Sequence, residues 1–140
     1  MGRYLAIDYG TKRTGLAVTD PLNMIATPLN TIASHELMHF ISGYIHEVDV
    51  ERLIVGRPVK LDNTPSETQK HVNRFVQAFK KRFPGITVEW MDERFTSSIA
   101  VQTMIAGGMK KKDRESRAHV DRISAVIILQ SYLELQNNLK

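Results

Sequence analysis

The stretch Tyr4-Leu5-Ala6-Ile7-Asp8-Tyr9-Gly10-Thr11-Lys12-Arg13-Thr14-Gly15-Leu16-Ala17-Val18-Thr19 decides the architecture. Tyr4 to Ile7 is apolar enough for a buried strand, which then ends in a carboxylate, Asp8. Tyr9 to Arg13 holds the glycine and polar residues of a tight connection, and Gly15 to Thr19 reads as a second strand. Strand, short turn and strand make an antiparallel hairpin with Asp8 at its mouth.

Moving outward, Ile25 to Ile32 has the composition of a third strand, although Pro28 restricts it to an edge position or denies it. Ser34 is a candidate N-cap for a helix whose apolar stripe runs through Leu37, Phe40, Ile41, Tyr44, Ile45 and Val48. Arg52 to Val55 then suits a buried parallel strand delivering a loop at Gly56 and Pro58. Thr64 and Glu67 form a capping-box pattern, with Pro65 at the first helical position, ahead of a helix carrying Val72, Phe75, Val76 and Phe79. Pro84-Gly85 stops that helix, and Ile86 to Met91 is the next strand, emerging into Asp92-Glu93-Arg94. Thr96 can cap a helix that begins near Ser97 and ends by Gly107-Gly108. A final helix from about Ser116 packs deeply, because Ala125 to Leu129 is apolar all round. This order predicts an α/β fold with a mixed central sheet that begins with an antiparallel hairpin and has helices on both faces.

With 140 residues, 42% of them hydrophobic and 24% charged, the chain fits one domain over residues 1–140. The absence of cysteine rules out a disulfide framework, a thiolate metal site and a cysteine nucleophile. The apolar run after Met1-Gly2-Arg3 is too short for a signal peptide or a membrane span, so a cytoplasmic protein with no membrane partner is expected. A formal net charge of +4 favours an anionic partner, and Lys110, Lys111, Lys112, Arg114 and Arg117 concentrate cations just before the final helix.

Asp8 and the Asp92-Glu93 pair lie at strand C-termini, where active sites of open α/β sheets gather. Asp121 precedes Ala125 by four residues and Ile128 by seven, on a helix face that turns towards the core. A buried carboxylate needs a positive partner. Oxygen ligands without a His or Cys cluster suit Mg²⁺ or Mn²⁺ rather than zinc. Two such ions about 4 Å apart activate a water and stabilise the leaving oxygen of a phosphodiester.

The segment Asp8 to Asp20 resembles the opening motif of the YqgF family, also called RuvX, described as pre-16S rRNA nucleases and Holliday junction resolvases. Val55-Gly56-Arg57-Pro58, Asp92-Glu93-Arg94-Phe95-Thr96 and the run from Val120 to Gln130 match its later motifs in order. The resemblance covers essentially the whole chain and implies a ribonuclease H-like fold. It also implies metal-dependent nuclease activity, with Asp8, Glu93 and Asp121 as catalytic metal ligands and Asp92 as the alternative to Glu93. Arg57 and Asn63 depart from the family's usual loop, in a region expected to touch substrate.

Lys12, Arg13, Arg57 and Arg94, with the Lys110 to Arg117 segment, are the candidate nucleic-acid contacts. The family resemblance makes RNA the favoured partner and structured DNA the other, with the protein expected to be a monomer or weak homodimer. The same resemblance implies pre-16S rRNA 5′-end maturation, with junction resolution as the alternative. A non-cleaving nucleic-acid-binding regulator is the rival from another class. A phosphate-loop ATPase, suggested by Asp8-Tyr9-Gly10-Thr11, is disfavoured because such enzymes bind nucleotide between two domains. Asp20 reads as a turn carboxylate, Trp90 as core, and His35 and His39 as a helical surface pair rather than metal ligands.

Overall fold

A computed structural model describes residues 2–57, 67–92 and 117–138, with side chains described from 124 to 137 in the last segment. Strand β1 (Arg3–Tyr9) and strand β2 (Arg13–Thr19) form the expected hairpin, pairing Leu5 with Val18 and Asp8 with Gly15. Strand β3 (Ala26–Ala33) adds to β2 and is an edge, as Pro28 requires of any strand that contains it. The register slips between Leu16 and Ala17, opposite the proline. Helix α1 (Leu37–Glu47) leads to β4 (Val50–Arg57), which runs parallel to β1. Helix α2 (Glu67–Arg82) returns the chain to β5 (Thr87–Asp92), parallel to β4, and helix α3 (Arg117–Asn138) closes the described chain. The sheet order is β3-β2-β1-β4-β5.

Period-2 alternation divides the sheet into two chemically different faces. Leu5, Ile7, Leu16, Val18, Leu53 and Val55 point one way and pack against Leu37 and Ile41 of α1 and Val72, Val76 and Phe79 of α2. Burying each of these large side chains contributes about 1.5–3 kcal/mol. Ala6, Ala17 and Ile54 point the other way, joined by Ala26 and Met91, and receive Ala125, Ile128, Leu129 and Tyr132 of α3. Alanines on that face let α3 lie close to the strands. Helices therefore cover both faces, each apolar stripe meeting the strand residues of matching parity.

One expected cap is overturned. Residues Ser34–Glu36 form a 3-10 turn, and α1 begins only at Leu37 with no side-chain cap. Ser34 does not cap it, because its hydroxyl is engaged by the loop after β1. The third strand starts at Ala26 rather than Ile25, which is exposed, and the fifth spans 87–92 rather than 86–91. The capping residues Thr64 and Pro65, and the helix expected between Ser97 and Gly107, lie outside the described residues. No described helix is long and apolar enough to cross a membrane.

Candidate active site

The parallel strands β1, β4 and β5 end at one edge of the sheet, where Ile7, Val55 and Trp90 lie in one row. Asp8 comes one residue past that row on β1, and Asp92 two residues past it on β5. Two strand spacings separate them, about 10 Å. Asp8 is half-buried, and its partner across β2 is Gly15, so no side chain there competes for the space beside the carboxylate. Ile7 belongs to the α1–α2 face and Ala6 to the α3 face, so alternation turns Asp8 towards α3.

Asp92 falls on the other side. Val88 and Trp90 pack with the α1–α2 core while Met91 packs with α3, which assigns Asp92 to the α1–α2 face. Arg57, paired with Asp92 in register, shares that face, and its guanidinium sits 4.8 Å from the centroid of the Trp90 ring. Trp90 is thus a half-buried ledge under a cation as well as part of the core. Arg57, a candidate nucleic-acid contact, thus lies on the face of the sheet opposite to the one Asp8 faces.

The loop between Asp8 and β2 is tightly held. Gly10 donates its N–H to Arg13 O at 2.9 Å, and a Cβ at Gly10 would come within 2.5 Å of that same carbonyl oxygen, so the turn requires glycine. Ser34, at the end of β3, donates its backbone N–H to Lys12 O at 2.9 Å. Its hydroxyl donates to Gly10 O and accepts from the buried Thr14 hydroxyl at 2.8 Å. Sequence inspection missed Ser34 and Thr14 as supports of this loop; no local signal marks contacts of 20 and 24 residues' separation. Lys12 and Arg13 are both exposed on the loop so fixed.

At the opposite end of the hairpin, Asp20 accepts N–H bonds from Met24 at 2.7 Å, Ile25 at 2.8 Å and Leu22 at 3.2 Å. These bonds, that from Ile25 foremost, hold its carboxyl below the usual carboxylate value. It is a turn carboxylate, as expected, remote from Asp8. His35 and His39 are exposed on the surface.

The C-terminal half of α3 is anchored at the start of β1. Tyr132 meets Tyr4 edge-on with ring centroids 6.0 Å apart, and Arg52 of β4 donates to the Tyr132 hydroxyl at 2.6 Å. The Arg52 guanidinium lies 5.0 Å from the Tyr4 ring centroid and 4.0 Å from Glu89. Burial, with further contributions from Glu89, pushes the Tyr132 hydroxyl up to about 12. Glu93, Arg94, Lys110, Lys111, Lys112 and Arg114 lie outside the described residues, and for Asp121 and Arg117 only the helical backbone is described.

A model of the RuvX family, described as Holliday junction resolvase, matches residues 2–135. The chain belongs to the RuvX family. A RuvX-like relative from Bacteroides thetaiotaomicron, named "Putative pre-16S rRNA nuclease", is 54% identical over 134 residues, covering 96% of this chain and 97% of its own. A relative of the same name from Christiangramia forsetii is 53% identical over 133 residues, covering 95% and 98%. Among solved structures, RuvC of T. thermophilus in complex with Holliday junction substrate aligns over 96% of both chains with a TM-score of 0.62 and 14% identity. That likeness establishes the ribonuclease H-like fold expected from the sequence.

Proposed function

We propose that this RuvX-family nuclease acts as a single cytoplasmic domain, residues 1–140, that matures the 5′ end of pre-16S rRNA using Mg²⁺ or Mn²⁺ held by Asp8, Glu93 and Asp121. The observation that carries the reading is Asp8, half-buried at the C-terminal end of β1, beside a glycine and turned towards α3. Simple geometry supports Asp121 as its partner. From the Tyr4–Tyr132 contact, Asp8 lies four residues along the strand, about 13 Å. Residue 121 lies eleven residues back along the helix, about 16 Å. Reach alike to within about 3 Å favours a meeting near the same sheet edge. The facing of Asp92 towards α1 and α2 favours its neighbour Glu93 as the third ligand.

Hard oxygen donors without histidine or cysteine fit a magnesium-like ion, which when bound activates water and stabilises a leaving oxygen. The residues of the chain position that chemistry. Ser34 and Thr14 hold the loop presenting Lys12 and Arg13 to phosphate, and Arg94 with the Lys110 to Arg117 segment extends the contact. The test is purified protein with labelled pre-16S rRNA, single-stranded RNA and four-way junction DNA, each with Mg²⁺, Mn²⁺ or chelator. Metal-dependent cutting of the precursor supports the assignment. Cutting confined to the junction, by a dimer, supports resolution instead, the activity in the family's description. Binding without cutting supports the regulator.

A further inference from the structure

Helix α2 carries five cations, Lys70, Arg74, Lys80, Lys81 and Arg82, against one carboxylate, Glu67, so by itself it holds as much formal charge as the whole chain, +4. Its inner stripe is spent on Val72, Val76 and Phe79, and the cations are exposed. Amphipathic helices commonly have charged outer faces, and the helix dipole accounts for cations in the last turn, Lys80 to Arg82. It does not account for Lys70, in the first turn where the dipole opposes a cation, nor for Arg74 in the middle. The exposed Lys70–Glu67 pair, 3.8 Å apart, adds little. Helix α1 packs on the same face of the sheet and contains no lysine or arginine, so solubility alone does not explain the concentration on α2.

Lys70, Arg74, Gln77 and Lys81 follow spacings of four, three and four along the exposed side, a row about 16 Å long. The row crosses the cutting edge: Phe75, next to Arg74, meets Tyr9, the residue after Asp8, with ring centroids 6.2 Å apart, so Lys70 lies beyond the strand ends and Lys81 back along the sheet. From there it leads away on the side of the sheet opposite α3. A strand passing from one face to the other must bend sharply around the sheet edge. Duplex DNA, with a persistence length of about 50 nm, resists that bend. A single strand does not.

We propose that the outer face of α2, through Lys70, Arg74 and Lys81, is a second phosphate-backbone track that holds a single-stranded flank of the substrate beyond the cutting edge. The proposal rests on the nuclease reading for its substrate class. It goes beyond that reading in placing binding on the face away from the carboxylates.

The test compares wild type with Lys70→Gln/Arg74→Gln/Lys81→Gln by fluorescence anisotropy, in chelator, on unstructured RNAs of about 8 and about 30 nucleotides. The longer RNA should bind about tenfold more weakly in the variant, with the log-affinity against log-salt slope shallower by about 2, three phosphates at about 0.7 each. The shorter RNA should bind alike, the melting temperature should hold, and turnover on a short substrate should be unchanged. Equal losses at both lengths, or none, would overturn the track, and so would an equal loss on a blunt duplex. If wild type cuts nothing with metal, the nuclease reading falls, while the length-dependent binding still decides the track by itself.

Discussion

The guanidinium of Arg52 on β4 donates to the hydroxyl of Tyr132 on α3 at 2.6 Å, fixing the far end of the helix whose other end carries Asp121. Tyr132→Phe should therefore cost about 1–3 kcal/mol in denaturant unfolding, because a partly buried cation loses its acceptor. The pH dependence has a different cause, burial with the help of Glu89, which outweighs the opposing effect of Arg52. With its folded value pushed up to about 12 from 10.0, Tyr132 contributes stability that is complete below pH 10 and is lost as pH rises towards 12. Urea midpoints across this window should fall less steeply for Tyr132→Phe than for wild type, and parallel curves would contradict the assignment.

Ser34→Ala should loosen the loop beyond Asp8. Thr14, fully buried, would lose its hydrogen-bond partner, and Gly10 O would lose a donor, at a cost of about 1–3 kcal/mol. If the loop presents Lys12 to phosphate, KM should rise more than kcat falls. Ser34→Thr, which keeps the hydroxyl, should recover part of both losses, and no recovery together with an unchanged KM would point to simple structural damage.

Asp8→Asn should abolish metal-dependent cleavage while leaving the circular dichroism spectrum and melting temperature near wild type, since the change removes charge and little volume. Full activity in the purified variant would remove Asp8 from the site.

Neighbouring carboxylates should behave oppositely. Asp92 faces α1 and α2, so Asp92→Asn should spare cleavage, whereas Glu93→Gln should eliminate it. The reverse result would place the metal on the wrong side of the sheet in our proposal.

Asp20→Asn should weaken the protein at neutral pH, because Met24, Ile25 and Leu22 donate to an ionised carboxylate. The folded value lies below 3.8, so the stabilisation is present above that pH and lost as pH falls through the lower folded value. Stability of wild type and variant should thus converge in acid, with no effect on metal-dependent cutting.

What the sequence by itself determined was the order and type of the described elements and the carboxylate at the end of β1. Both signals are local: apolar residues recur at strand or helix spacing within one segment, and Pro28 forbids a central strand wherever it lies. The family motifs also travel with the chain. Only the tertiary structure decided what each side chain meets. Ser34 has the composition of a helix cap, yet it supports a turn 24 residues earlier, because β3 returns beside β2 and offers it better-placed partners than the helix does. Arg57 stands in a loop motif that says nothing of its face, and strand parity sets it over Trp90, on the side opposite to Asp8. Asp92 is separated from Asp8 for the same reason. Sidedness depends on register between strands distant in sequence, and a single residue of shift reverses it.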